Sequence, residues 1–289
     1  MVGNILVNAL MNMGVYAMLA VGFSLMFGVA RIINLAHTAF YMVAGYGIFY
    51  LVSAAGLSLV PAVLISVAAV VLLSVAAYKV IVDPMREHET TVLILTVALA
   101  LVLQEAMLIA FGGYFRSVPS TLSGFATLAG VRVSYQYLLT LGVLAASLAA
   151  VWLLLTRTRL GLAIRATAQD REIATVMGID ESRTATATVA VASGLAGLAG
   201  AVVAPLYILE PGMWLQPLTI VLAIAVLGGL GSLKGSLLGA GLLALVESLV
   251  VFLIPTGAFL KGAFSLAIMI VVLLIRPEGL YGVAFEEER

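Results

Sequence analysis

Residues 5–29 read Ile-Leu-Val-Asn-Ala-Leu-Met-Asn-Met-Gly-Val-Tyr-Ala-Met-Leu-Ala-Val-Gly-Phe-Ser-Leu-Met-Phe-Gly-Val, without a single charge. About 20 predominantly apolar residues in a helix cross the hydrocarbon core of a bilayer. This run is long enough and has no polar face to offer water. Further stretches of the same kind fall at 36–54, 60–82, 91–111, 135–156, 184–208, 217–232, 234–254 and 258–276, giving eight or nine spans. The second opens on polar Asn34 and His37, and the seventh is short and runs into glycines. Either is a candidate for a broken or re-entrant segment, because irregular backbone at membrane depth persists only against protein or water. The composition agrees: 63% of residues are hydrophobic and 10% charged, against about 45–50% and about 25% in soluble domains. The expected fold is an all-α polytopic integral membrane protein, one transmembrane domain over 1–289. Met1-Val2-Gly3-Asn4 lacks a basic n-region and the apolar run has no small-residue cleavage site, so a retained helix is expected, not a signal peptide.

Fourteen basic and fourteen acidic residues cancel, which gives no electrostatic reason to expect nucleic acid or an anionic substrate as partner. The absence of cysteine excludes disulfides, thiolate metal sites and thiol catalysis, and two histidines, His37 and His88, argue against a histidine metal centre. Placement of the charges says more than their sum. The segment 157–183 carries Arg157, Arg159, Arg165, Arg171 and Arg183 and is assigned to the cytoplasm. With nine spans, Arg31, Lys79, Arg86, Lys234, Arg276 and Arg289 join it there, leaving Arg116, Arg132 and Lys261 outside. The C-terminus is then cytoplasmic and the N-terminus external, and a re-entrant second span would move only the N-terminus and Arg31.

Within the cytoplasmic segment, Ile173, Val176 and Met177 recur at helical spacing, Asp170 suits an N-cap, and Gly178 suits the position just past a helix C-terminus. A short amphipathic helix with both ends specified is expected. It either rests on lipid head groups or docks into a cytoplasmic partner. A phosphate-binding loop is missing: Lys234 follows Leu233 where the motif requires glycine, so Leu233-Lys234-Gly235 reads as a turn between spans.

Four stretches resemble one family. Gly161-Leu-Ala-Ile-Arg165-Ala166, followed by Asp170 to Ala174 and Met177-Gly178-Ile179, resembles the coupling loop of the permeases of branched-chain amino-acid ABC importers. Gly28 to His37, containing Ile33-Asn34-Leu35-Ala36-His37, resembles their INxAHG segment, with Thr38 where the family has glycine. Gly228-Gly229-Leu230-Gly231-Ser232-Leu-Lys-Gly235 resembles their GGxGSxxG turn, and Arg276-Pro277-Glu278-Gly279-Leu280 their RPxGLxG ending. The resemblance implies a type II-like ABC importer permease architecture in a prokaryotic cytoplasmic (inner) membrane. It also implies a second homologous permease in a heterodimer or homodimer, two cytoplasmic ABC ATPase subunits, and an extracytoplasmic solute-binding protein. The chain itself would be non-catalytic and hold no cofactor, ATP and Mg being bound by the ATPase. The cargo implied is leucine, isoleucine or valine, with urea, short amides and small carboxylates as alternatives.

Polar residues within spans are expensive and usually face protein or water. Asn8, Asn12, Asn34, His37, Gln104, Glu105 and Glu247 are the candidates for the translocation pathway. Each has a structural alternative: Asn8 and Asn12 share a helix face and either clip it to a neighbour or line the outer mouth, Asn34 and His37 either bond nearby backbone or form a constriction, and Glu105 and Glu247 either bond between helices or meet the path. Two carboxylates also admit a proton-coupled secondary carrier. The candidate coupling residues are Gly161, Arg165, Asp170, Arg171, Ile173, Val176, Met177 and Gly178, and the candidate hinge glycines are Gly228, Gly229 and Gly231.

Overall fold

The computed structural model describes residues 2–120, 122–128, 131–276 and 279–281, so Pro277 and Glu278 of the terminal motif, and Arg289, lie outside the described residues. Helix α1 spans Val2–Ala30 and stops where Arg31 turns left-handed at φ 55°. From Gly14 to Met26 every residue of α1 is buried. A helix apolar on every side belongs in the middle of a bundle, and α1 is the central post.

Around it stand α2 (His37–Phe49), α3 (Leu59–Ala77), α4 (Glu89–Phe111), α5 (Tyr135–Arg157), α8 (Glu181–Val203), α9 (Leu215–Gly228), α10 (Leu233–Leu253) and α11 (Gly257–Ile275). Two short helices, α6 (Arg159–Gln169) and α7 (Arg171–Val176), lie between α5 and α8. A π-helical turn, Tyr50–Ala54, prolongs α2, and α3 runs on through a π-turn Tyr78–Val82 and a 3₁₀ turn Asp83–Met85. Helix α10 lies antiparallel along α1: Asn8 meets Ser248, Tyr16 meets Glu247, and Ser24 meets Ser236.

Among the described residues seven helices are long and apolar enough to cross a membrane, and the shorter α2 and α9 correspond to the two segments whose sequence looked irregular. The second segment is a continuous helix prolonged by the π-turn: Asn34 bonds the Ala36 amide at one end, while Phe49 at the other meets Phe111 edge-on and lies under the Arg116 guanidinium. Thr38 is helical and buried, so no glycine conformation is needed there. The seventh is different. Fourteen residues of helix rise about 21 Å, short of a core about 30 Å thick. It is preceded by the irregular segment 204–214, whose Leu209 and Trp214 are buried in the bundle. Pro205 explains why α8 ends at Val203 and not at 208: Ala204 still has helical dihedrals, but proline has no N–H to continue the ladder and its ring clashes with the carbonyl one turn back. At the other end of α9, Gly229 at φ 92° and Gly231 at φ 81° make the turn into α10.

Between α4 and α5 the chain forms a hairpin, β1 (Phe125–Leu128) antiparallel to β2 (Val131–Ser134), seated on the first turns of α1 near Gly3. Periodicity did not signal it. Close backbone approach sets the rest of the packing. A Cβ on Gly200 would collide with the Tyr41 carbonyl of α2, and Gly228 and Gly235 bring α9 and α10 into backbone contact. Where lipid gives helices no hydrophobic drive to associate, this small-residue packing holds them together.

Candidate functional site

The described residues carry two sites, at opposite ends of the bundle. The first is a cavity of about 190 Å³ at the end away from the arginine-rich segment. Its walls come from α1 (Asn12, Tyr16), α2 (Tyr41), the segment after α8 (Tyr207, Glu210), the start of α9 (Gln216) and α11 (Lys261). The 204–214 segment forms a wall because α8 stops early. A backbone bridge between Arg116 and Leu209 in both directions, at 3.0 and 2.8 Å, holds it against the loop after α4.

Behind the cavity a polar network joins three helices. Tyr16 Oη donates to Glu247 Oε2 at 2.6 Å, Ser265 Oγ donates to Glu247 Oε1 at 2.8 Å, and the carboxylate is fully buried. Ser248 Oγ donates to Asn8 Oδ1 at 3.1 Å, Asn12 Nδ2 donates to the same oxygen at 3.1 Å, and Tyr207 Oη reaches Asn12 Oδ1 at 3.4 Å. The structure thus gathers Asn8, Asn12 and Glu247 into one cluster, with Asn12 on the cavity wall and Glu247 tied behind it.

The other polar candidates lie elsewhere. Asn34 Oδ1 accepts from the Ala36 amide at 3.0 Å and caps the turn into α2. His37, fully buried, places Nε2 3.0 Å from the Leu19 carbonyl, where it must donate, and its ring fills the space that Gly22 leaves at the crossing of α1, α2 and α8. Gln104 Oε1 accepts from Trp214 Nε1 at 2.8 Å, which fastens α4 to the 204–214 segment. Glu105 is exposed on the outside of α4 and does not line the cavity. Tyr16, Tyr207, Glu210 and Lys261 were missed by sequence reasoning. Lys261 had a signal, a lone cation at the start of an apolar span, and Glu210 had none beyond its charge.

The second site is the α6–α7 corner. Thr158 Oγ1 accepts from the Gly161 amide at 3.0 Å and caps α6. Gly161 is required because a Cβ there would meet the backbone of Leu154 and Leu155 at the end of α5. Asp170 Oδ1 accepts from the Ile173 amide at 2.9 Å and caps α7, which ends on Gly178 at φ 87° with Ile179 N–H closing on the Ala174 carbonyl at 3.0 Å. Both ends are as the sequence specifies, while α6 is an additional helix. Ala174 alone of α7 is buried, whereas Ile173, Val176 and Met177 are 58%, 84% and 77% exposed. Arg165 is also exposed. Arg171 bonds Glu181 at the start of α8, and Arg86 reaches the same carboxylate at 2.7 Å and Asp83 at 3.8 Å. Burial first, and then the neighbouring Arg86, pushes the Arg171 pKa down from its ordinary value, yet a guanidinium stays charged at neutral pH. The corner is therefore tied to α8 through Glu181, the one carboxylate shared by Arg171 and Arg86, and through Arg86 to the turn after α3.

Gly228, Gly229 and Gly231 pack into a tight turn at this same end. Gly231 lies beside Gly28 of α1, and the Leu280 and Tyr281 amides donate to the last carbonyls of α9 at 2.8 and 3.1 Å.

Comparison with known proteins matches this architecture along nearly its whole length. A permease protein of the high-affinity branched-chain amino acid transport system, BraD of Pseudomonas aeruginosa, is 28% identical over 292 aligned residues, covering 96% of this chain and 94% of its own. The Escherichia coli K12 protein LivH, of the same description, is 26% identical and covers 92% of this chain and 91% of its own. PsaBC from Streptococcus pneumoniae in complex with Fab superposes with a TM-score of 0.54 at 16% identity over 96% of this chain and 94% of that one, a likeness of fold. The sequence family described as "Branched-chain amino acid transport system / permease component" matches residues 5–273, which include both the cavity and the capped α6–α7 corner, and the chain belongs to that family.

Proposed function

We propose that this chain is the membrane permease of an ATP-driven importer that carries branched-chain amino acids into a prokaryotic cytoplasm. The arginine-rich end and the C-terminus face the cytoplasm, and the cavity opens toward the side from which a solute-binding protein delivers its cargo. A second homologous permease completes the pathway. Two ATPase subunits dock below and supply the hydrolysis, binding ATP and Mg, and this chain does no catalysis.

The observation that carries the proposal is α7. It is a helix with both ends capped, tied by an ion pair to the start of α8, and yet it and its C-terminal residue Met177 turn three apolar side chains outward. Two turns bury too little to hold a membrane surface, but they fill a groove on a folded partner. Replacing Ile173 or Met177 with aspartate leaves every span intact. Each variant should insert normally, lose co-purification of the ATPase encoded beside it, and lose uptake. Undiminished ATPase binding and uptake in both would show that α7 is not the coupling element and would return it to the lipid head groups.

A further inference from the structure

The cavity contains two kinds of polar side chain. Asn12, Tyr16 and Tyr207 are already committed to the network behind the wall. Glu210, Gln216 and Lys261 make no side-chain hydrogen bond or ion pair among the described residues, and Glu210 and Lys261 are not within 4.0 Å of one another's charged atoms. A cation on the first turns of a span is costly unless it meets protein or water. Lys261, half-buried, makes no side-chain hydrogen bond or ion pair among the described residues and lines the cavity. Apart from Tyr41 the remaining wall is apolar, with Val15, Met213 and Ile220. The volume of about 190 Å³ gives room for a solute of amino-acid size.

We infer that this cavity is a solute-binding site for a zwitterionic α-amino acid, with Lys261 taking the carboxylate, Glu210 the ammonium group, and the Val15–Ile220 wall the side chain. The inference rests on the importer reading for its cargo, and on the cavity alone for its chemistry. One cation and one anion, both uncommitted and with Glu210 exposed at the rim, complement a ligand of zero net charge and favour it over solutes carrying one charge only, since each of those would forgo one charge-assisted contact. The site gives the permease a selectivity of its own, additional to that of any delivering protein.

The test measures binding to the purified chain in lipid nanodiscs, using labelled leucine, leucinamide (which lacks the carboxylate) and 4-methylpentanoate (which lacks the amine). The wild type should prefer leucine over each analogue by about tenfold or more, the scale of one charge-assisted contact. Lys261→Met should erase the preference over leucinamide and keep that over 4-methylpentanoate, and Glu210→Gln should do the reverse. Equal affinity of the wild type for all three, or preferences unchanged in both variants, would overturn the site. In proteoliposomes holding the complete transporter, both variants should lower leucine uptake about tenfold while ATP hydrolysis stimulated by the binding protein persists. Unchanged uptake would overturn the site and leave the importer standing. Discriminating binding without ATP-driven uptake by the wild type would overturn the importer and leave the site.

Discussion

Replacing Glu247 separates a structural carboxylate from a functional one. Its two oxygens accept from Tyr16 on α1 at 2.6 Å and from Ser265 on α11 at 2.8 Å, so one side chain on α10 fastens three helices. Glu247→Leu removes both acceptors at nearly constant side-chain length. In water-soluble proteins each orphaned donor costs about 1–3 kcal/mol. Within a bilayer the average inter-helix bond is worth about 0.6 kcal/mol and the best about 1.7, because separated helices find other partners. Two bonds, one of them short, therefore put the loss at about 1–3 kcal/mol, a factor of about 5 to 150 in the folded population. Glu247→Gln keeps a carbonyl oxygen for Tyr16 and turns its amide toward Ser265, whose hydroxyl can rotate to accept, so its loss should stay below about 1 kcal/mol. Unfolding of the purified chain in mixed micelles can be followed through Trp214, which is buried beside the cavity. Equal stability of the wild type and both variants would refute the structural role. A Gln variant that folds normally but abolishes uptake would make the charge itself functional, and uptake driven by acid pH without ATP would then establish a proton-coupled carrier.

Two further outcomes follow from the same geometry. Gly200→Leu must push α8 off the Tyr41 backbone, which cannot yield as a flexible side chain would; the variant should lose about 3 kcal/mol or more or fail to accumulate, and wild-type thermal stability would show that α2 and α8 do not cross as closely as described. The chain freed of its partners should hydrolyse no ATP, since no phosphate loop is present around Lys234. Turnover by a contaminant-free preparation, abolished by a substitution in this chain, would contradict that.

The spans were legible in the sequence because hydropathy over about 20 residues is an averaged signal that tertiary contacts do not overturn. Caps were legible too. Asp170 and Gly178 act through local hydrogen bonds and local φ, which a sequence window contains whole. The cavity was not, because it depends on where a helix fails. The apolar run of the sixth span continues to Ile208, and only Pro205 marks that α8 ends at Val203 and frees 204–214 to form a wall. Convergence was partly legible: Asn8 and Asn12 were read onto one face, but that Glu247, 235 residues after Asn12, stands behind that face needs the α1–α10 pairing, which no local pattern carries. The hairpin at 125–134 escaped for a related reason, since its strands are four residues each and too short for an alternation to stand out.

What connects the two sites is α8. Its first residue, Glu181, holds Arg171 of α7 and Arg86 after α3, and its last, Val203, forms part of the cavity wall. Counting both, α8 is 23 residues of unbroken helix, about 34 Å at 1.5 Å per residue. Gly194, Gly197 and Gly200 let this rod lie close against α3 and α2 along its length, with Gly200 in contact with the Tyr41 backbone one turn from the cavity. Tyr41 is itself a cavity residue. The two ends of α8 are therefore joined by a packed rod whose contact nearest the cavity, Gly200 on Tyr41, is backbone to backbone, and such a contact shifts or holds but does not absorb displacement as long side chains do. The carboxylate of Glu181 is the point at which that rod is fastened to the outward-facing α7 knob, and the early stop of α8 at Val203 is the point at which it reaches the cavity.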